Sequence, residues 1–259
     1  LIPERLVPGT LEWDLFRYEH EQRYQFFLDG YRGRDVLDAA CGVGYGSAII
    51  AGAGARSVTG VDIDPGAVEY AAKHFGGPAT EFRTLGVEDL AQLGKTFDLV
   101  VSFETLEHLK DPAGFIRTVR SVLRPGGRFV CSTPNRDFAG RPPGYVNPYH
   151  LNELGLEEFA EAFGNSFAID GRYHQSHSES YRRHLQMLGE FDRVAKAVRF
   201  SKFLRAENFL RRVLGRGRWA VGAPADNLAR AVPGDFVIEP VSRPAPAHLT
   251  YIFEGTAKV

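Results

Sequence analysis

Residues 35–46 read Asp35-Val36-Leu37-Asp38-Ala39-Ala40-Cys41-Gly42-Val43-Gly44-Tyr45-Gly46. The short, largely apolar run Asp35–Ala39 predicts a buried strand, because nothing in it is long enough for a helix. It opens into a turn with glycine at every second position, where the backbone can bend sharply and approach a ligand. Asp38 places a carboxylate at the strand end, ahead of the glycines. That charge repels a diphosphate but accepts a cationic amino-acid group. The spacing is also G-x-G-x-G and not G-x-G-x-x-G, so the dinucleotide fingerprint is not met.

Working outward, strands alternate with helices. A helix is expected at 11–30, on the apolar stripe of Leu11, Leu15, Tyr18, Tyr24, Phe27 and Leu28. Another follows the glycine turn from Ser47 to Ala53. Strand Ser57–Asp62 comes next, then a helix opened by Pro65 and running to His74, with Asp64 as its cap. A weaker strand is expected at Thr80–Arg83 and a strong one at Phe97–Phe103. A helix begins at Asp111-Pro112 and runs to Leu123. After the turn Pro125-Gly126-Gly127 comes a strand at Arg128–Ser132. Such alternation implies a parallel sheet with helices on both faces. Further on, a helix is expected at Leu151–Phe163, strands at Phe167–Tyr173 and Leu249–Glu254, and helical structure over 179–215. Asp62 ends the second strand, where an acid can accept hydrogen bonds from both hydroxyls of a ribose.

The ordered segments Asp38–Gly46, Gly60–Asp64, Phe97–Ser102 and Leu123–Gly127 resemble the motifs of class I S-adenosylmethionine (SAM)-dependent methyltransferases. The resemblance is specific over about residues 30–135 and looser over 1–175. It implies a Rossmann-like α/β fold with a seven-stranded, mostly parallel sheet whose last strand is antiparallel. It also implies SAM as cofactor and S-adenosylhomocysteine as product. Asp38, Ala40, Gly42 and Gly44 would lie near the methionine part, Asp62 and Ile63 near the ribose, and Phe103 near the sulfonium. Adenine would lie by Val87 and Glu88, since Gly86 stands where many relatives carry an acid or Asn. Ala40 replaces the first glycine of the family motif.

Glu104, Glu107 and His108, in the run FETLEHL, follow strand four. Read as one helical turn, their spacing puts two carboxylates and an imidazole on one face, a donor set that suits a divalent cation. The E-x-x-E-H pattern resembles that of ubiquinone-biosynthesis O-methyltransferases and of small-RNA 2′-O-methyltransferases, where it is associated with a magnesium-type ion. The RNA group adds a second histidine, matched here by His150 ahead of Glu153 and Phe159. A Glu104, Glu107, His108, His150 site for Mg2+ or Mn2+ is one reading. The other is that the glutamates line a helix and His108 packs under a loop. Without a metal, His108 or His150 serves as general base, and Glu104 stands beside them as a catalytic candidate.

The N-terminal order from Glu4 to Gly9, with Glu19–Tyr24, resembles bacterial methyltransferases encoded with polysaccharide-building enzymes. In those proteins a helical lid, here residues 1–30, covers the SAM site. The resemblance implies Arg23 on the SAM carboxylate and Tyr24 packed on the ligand; an amphipathic surface helix is the plain alternative. The core is expected at 31–175, a mainly helical substrate-recognition insertion at 176–246, and the last core strand at 247–259. Residues 181–219 carry eleven bases against three acids. That stretch would attract an anionic acceptor or a membrane surface, or it is a solvated helical face. Arg141, Tyr145 and Tyr149 are further candidates for the acceptor pocket.

The whole chain is near neutral, with formal charge -1 over 259 residues, which argues against a nucleic-acid partner. Two cysteines, Cys41 and Cys131, give no metal spacing and no disulfide framework. No stretch has the layout of a signal peptide or a membrane span, so a cytoplasmic protein is expected. An oligomer is compatible with the sequence. The leading functional expectation is O-methylation of a sugar, nucleotide-sugar or glycan hydroxyl. The alternatives are a small phenol or quinone-like acceptor, and the 2′-hydroxyl of an RNA 3′ end.

Overall fold

Strand Asp35–Ala39 (β1) lies at the centre of the molecule, with all of its residues after Asp35 buried. β1 pairs in parallel with Ser57–Asp62 (β2) on one side and with Phe97–Ser102 (β4) on the other. Thr80–Thr84 (β3) flanks β2, and Leu123–Pro134 (β5) flanks β4. Three strands follow in sequence: Phe167–His177 (β6), Phe236–Pro240 (β7) and Thr250–Ala257 (β8). The sheet order is β3-β2-β1-β4-β5-β8-β6-β7, and β8 runs antiparallel to both β5 and β6. The computed structural model describes residues 6–138, 147–178, 236–241 and 250–258.

The expected parallel core and antiparallel strand are both present, but among the described residues the sheet has eight strands where seven were expected. The added strand, β7, lies inside the stretch read as a helical insertion. The helical expectation for 179–215 and the basic run 181–219 fall outside the described residues, as do Arg141 and Tyr145. The described residues of Leu1–Leu6, His20–Ser176 and Ile238–Val259 form one compact unit, which carries everything argued below. Those of Val7–Glu19 and His177–Val237 belong to a second. Within the second, Thr10 opens the first helix by accepting the Trp13 N–H at 3.2 Å.

Helices α1 (Leu11–Phe26), α3 (Tyr45–Gly52), α4 (Pro65–Phe75), α5 (Pro112–Ser121) and α6 (Leu156–Gly164) alternate with the strands, and α2 is a single turn, Leu28–Tyr31. The single helix expected at 11–30 is therefore two, broken at Phe27. Asp64 caps α4 by accepting the Gly66 N–H at 2.8 Å, with Pro65 at the first helical position. Asp111 caps α5 in the same way through Gly114. β5 begins earlier than expected, at Leu123, and a register shift against β4 absorbs its glycines.

Apolar packing holds these layers. Leu37, Val100 and Phe129 are fully buried at the sheet centre, and each such side chain contributes roughly 1.5–3 kcal/mol. α6 is fastened by aromatic rings: Phe159 stacks on Phe253 at 4.3 Å, and Phe163 on Phe129 at 5.6 Å. Registers of Asp38 with Gly60 and Val101 bring the carboxyl ends of β1, β2 and β4 to one edge. Ligands bind at that edge in open sheets of this kind.

Candidate active site

A cleft of about 610 Å³ opens at the carboxyl edge of the sheet, within the size range of small-molecule sites. The glycine turn forms one wall through Ala40, Cys41, Gly42 and Val43. Gly44 has φ of 87°, and a Cβ there would lie 2.7 Å from that of Ala71, so only glycine lets α3 start so close to α4. Gly44 therefore shapes the turn from behind and does not line the cleft. Ala40 keeps a left-handed φ of 63° despite its methyl group.

Asp62 is buried at the end of β2 and belongs to the cleft wall. Its carboxylate accepts the N–H groups of Gly42 and Asp64, each at 2.9 Å. It thus ties the glycine turn to the end of β2 and presents an oriented negative charge to the cleft. Ile63 is 65% exposed beside it. Opposite stand Gly86, Val87 and Glu88. A Cβ on Gly86 would meet Glu88 Oε2 at 3.4 Å and Ile63 Cδ1 at 3.9 Å, so the missing side chain leaves a slot with one apolar wall and a carboxylate beside it. Such a slot fits a flat ring, with Glu88 at its polar rim.

Asp38 is fully buried behind the turn, not on the cleft wall. It accepts the Ser47 hydroxyl at 2.6 Å and the Tyr24 hydroxyl at 3.2 Å. Burial pushes its carboxyl up to about 6, against the pull of those two hydrogen bonds. Tyr24 and Phe103 both line the cleft and meet edge to face at 4.8 Å.

Arg23 does not line the cleft. Its guanidinium is fully buried and donates to Gln175 at 2.8 Å and to Thr250 at 3.4 Å, with Glu104 at 3.8 Å. The contact with a bound carboxylate that resemblance implied is not where this side chain points. Its partners on β6 and β8 lie 152 and 227 positions away, too far for sequence spacing to reveal. His20, one helical turn earlier, does line the cleft. Sequence reading gave it no role, and its position three residues before Arg23 was the available signal.

The acidic–histidine cluster differs from a helical turn. Glu104 has a left-handed φ of 53°, and only Leu106–His108 form a short 3₁₀ turn. Ser132 holds Glu104 there, accepting its N–H at 3.1 Å and donating to its carboxylate at 2.7 Å. A non-glycine residue in this region carries strain of order 1–3 kcal/mol, offset by that pair of bonds. Glu104 lines the same cleft, with its carboxylate drawn to Ser132. Glu107, His108 and His150 come together instead, one ligand atom of each within 4.8 Å of the rest.

The segment carrying His150 is fastened by backbone bonds. The Glu107 carbonyl accepts the N–H of Leu151 at 2.7 Å and of Asn152 at 3.0 Å. α6 starts later than expected, at Leu156, where the Glu158 carboxylate accepts the Gly155 N–H at 2.9 Å. His108 Nδ1 donates to the Tyr149 carbonyl at 3.0 Å, and His150 Nδ1 meets Glu153 at 2.6 Å. Each ring is thereby oriented through Nδ1, which in a neutral imidazole donating there leaves the lone pair on Nε2. Metal-binding histidines are oriented in this manner. Burial, then the charge of Glu104, push the Glu107 carboxyl well above the usual range. The donor set fits a divalent cation with Glu107, His108 and His150 as ligands; Glu104 lies outside it.

Comparison with known proteins agrees with this architecture. The family model described as a methyltransferase domain matches residues 37–131. A Mycolicibacterium smegmatis protein named "Probable S-adenosylmethionine-dependent methyltransferase" is 39% identical over 162 residues, covering 62% of this chain and 62% of its own. A ubiquinone biosynthesis O-methyltransferase from Cereibacter sphaeroides is 38% identical over 109 residues, 41% of this chain and 44% of its own. The chain thus spans less than two thirds of the length of these curated relatives. The crystal structure of an S-adenosylmethionine-dependent methyltransferase from Mesorhizobium loti superposes with a TM-score of 0.52 at 16% identity, over 96% of this chain and 98% of its own. That likeness concerns the fold alone. Residues 37–131 thus carry the methyltransferase-domain match, and the motifs and strand order around them agree with the class I SAM-dependent methyltransferases that this chain resembles.

Proposed function

We propose that the protein transfers the methyl group of SAM to a hydroxyl oxygen of a sugar, nucleotide-sugar or glycan intermediate. The observation that carries this reading is the cluster of Glu107, His108 and His150 on the wall of the cleft that holds Asp62 and the glycine turn. Such a donor set suits an acceptor with neighbouring oxygens. The similarity to a ubiquinone biosynthesis O-methyltransferase over 41% of the chain supports a second reading, a phenol or quinone-like acceptor. The RNA 3′ end is the third, opposed by the near-neutral charge.

SAM, when bound, supplies a methyl group on a positively charged sulfur. Asp62 and the slot between Ile63 and Val87 would orient the nucleoside. Phe103 and Tyr24 would pack beside the reacting carbon and exclude water. Glu107, His108 and His150 would hold a divalent cation, whose chemistry would be to make the acceptor hydroxyl more acidic. In the metal-free version of the reading, His108 or His150 takes the hydroxyl proton at Nε2, an effect worth on the order of 10²–10⁴-fold. Positioning of the two substrates supplies much of the rest.

A panel of nucleotide-sugars, phenols and short RNAs with methyl-labelled SAM tests the acceptor. Label on a sugar hydroxyl is expected. Label confined to phenols or to RNA overturns the sugar assignment, and no label on any hydroxyl removes O-methylation. Activity lost in chelator and restored by Mn2+ is expected; full activity in chelator removes the metal.

A further inference from the structure

We propose that His20 is the residue that meets the carboxylate of the cofactor's methionine chain. The proposal rests on the SAM reading of the cleft. It begins with three residues at i, i+3 and i+4 on one helix, His20, Arg23 and Tyr24, which share a face. Two of them are committed elsewhere. Arg23 is sealed against β6 and β8 by Gln175 and Thr250. Tyr24 is held by Asp38 and Phe103. Both fix the helix rigidly, and His20 is left as the member of the set with a nitrogen-bearing ring on the cleft wall.

Its neighbours define which end of the cleft it faces. Tyr24 packs against Gly46 and Asp38, on the glycine-turn side. Ile63, Gly86 and Val87 form the slot for a flat ring beyond Asp62. An extended nucleoside amino acid with its base in that slot places its amino-acid end toward the glycine turn, where α1 crosses. A carboxylate there needs a donor. Among the described cleft residues, the cationic guanidinium expected to supply one is buried behind the wall. An imidazole N–H donates to a carboxylate in either protonation state. The buried Arg23 behind it adds positive potential: burial first, and Arg23 second, press the His20 imidazole well below its usual range. An arriving carboxylate would be favoured by that same potential.

The test uses calorimetry on the full chain with two ligands. One is S-adenosylhomocysteine. The other is 5′-(3-aminopropylthio)-5′-deoxyadenosine, which keeps the ammonium and lacks only the carboxylate. The wild type is expected to prefer S-adenosylhomocysteine by about tenfold or more, the scale of one charge-assisted hydrogen bond. His20→Ala is expected to erase that preference while leaving the affinity for the amine analogue unchanged, which also shows that the cleft is intact. His20→Gln, which keeps a donor, is expected to regain part of it. A preference that survives in His20→Ala overturns the proposal, as does an equal loss for both ligands. Failure of the wild type to bind either ligand overturns the SAM reading itself, and the proposal with it.

Discussion

The Tyr24 hydroxyl lies 3.2 Å from Asp38 Oδ1, and its ring carbon Cζ lies 2.1 Å from where a Cβ on Gly46 would stand. One tyrosine thus joins α1 to the buried acid and leaves no room for a side chain on the glycine turn. Gly46→Ala forces the ring away and breaks its bond to Asp38. Overpacking of this kind costs about 1–3 kcal/mol. Urea denaturation is expected to show that loss, with an unchanged slope. A variant as stable as the wild type would remove Tyr24 from this role.

Asp38 makes stability depend on pH. Its carboxyl sits at about 6 in the folded chain, against an ordinary value of 3.8, because burial disfavours the charge. The folded state therefore holds the proton more tightly than the unfolded state. Its contribution is fully present below about pH 4 and is lost as pH rises through 6. A shift of this size corresponds to roughly 2–3 kcal/mol. Without added cofactor, Asp38→Asn is expected to gain stability relative to wild type between pH 4 and pH 7. A difference that stays flat over this range would exclude the buried charge as its source.

Asp62 is expected to carry ribose binding. Asp62→Ala should weaken S-adenosylhomocysteine binding by about 1.5–3 kcal/mol, the scale for hydrogen bonds to a charged group. It also frees the N–H groups of Gly42 and Asp64, so loosening of the turn contributes to the loss. Unchanged affinity in calorimetry takes Asp62 off the cofactor.

The cluster makes a selective prediction about manganese. Glu107→Gln and His150→Ala should each lower Mn2+ affinity at least tenfold, the scale of a lost ligand or orienting group. Glu104→Gln should lower it much less, because Glu104 is drawn to Ser132 and Arg23. Paramagnetic resonance of free Mn2+ reads this directly. Equal losses in all three variants would return Glu104 to the ligand set.

The central sheet was legible because its signals are local. Asp35–Ala39, Ser57–Asp62 and Phe97–Ser102 are apolar runs bounded by turn residues, and Asp64-Pro65 and Asp111-Pro112 mark helix starts. What sequence reading missed depends on distant partners. Glu104 was placed on a helical turn, but Ser132, 28 positions on, holds it in a left-handed conformation. Leu151–Leu154 looked helical, yet Leu154 forms a β-bridge with Asn135, 19 positions back. Arg23 was aimed at the ligand, while Gln175 and Thr250 claim it. Local propensity has no access to such claims. β7 was hidden for the same reason: Val241, just past its end, bonds to Arg172 on β6.

β8 has a consequence for how the chain is made. It follows every other described strand in sequence, yet it sits between β5 and β6, joined to both. Until Thr250–Ala257 has left the ribosome, β6 has no neighbour linking it to the centre, and β5 presents a bare edge. Long-range closure of this kind is slow and leaves such edges open to aggregation. Nascent chains stalled before Thr250 should therefore remain sensitive to protease and should engage chaperones, however complete the five-strand half has become.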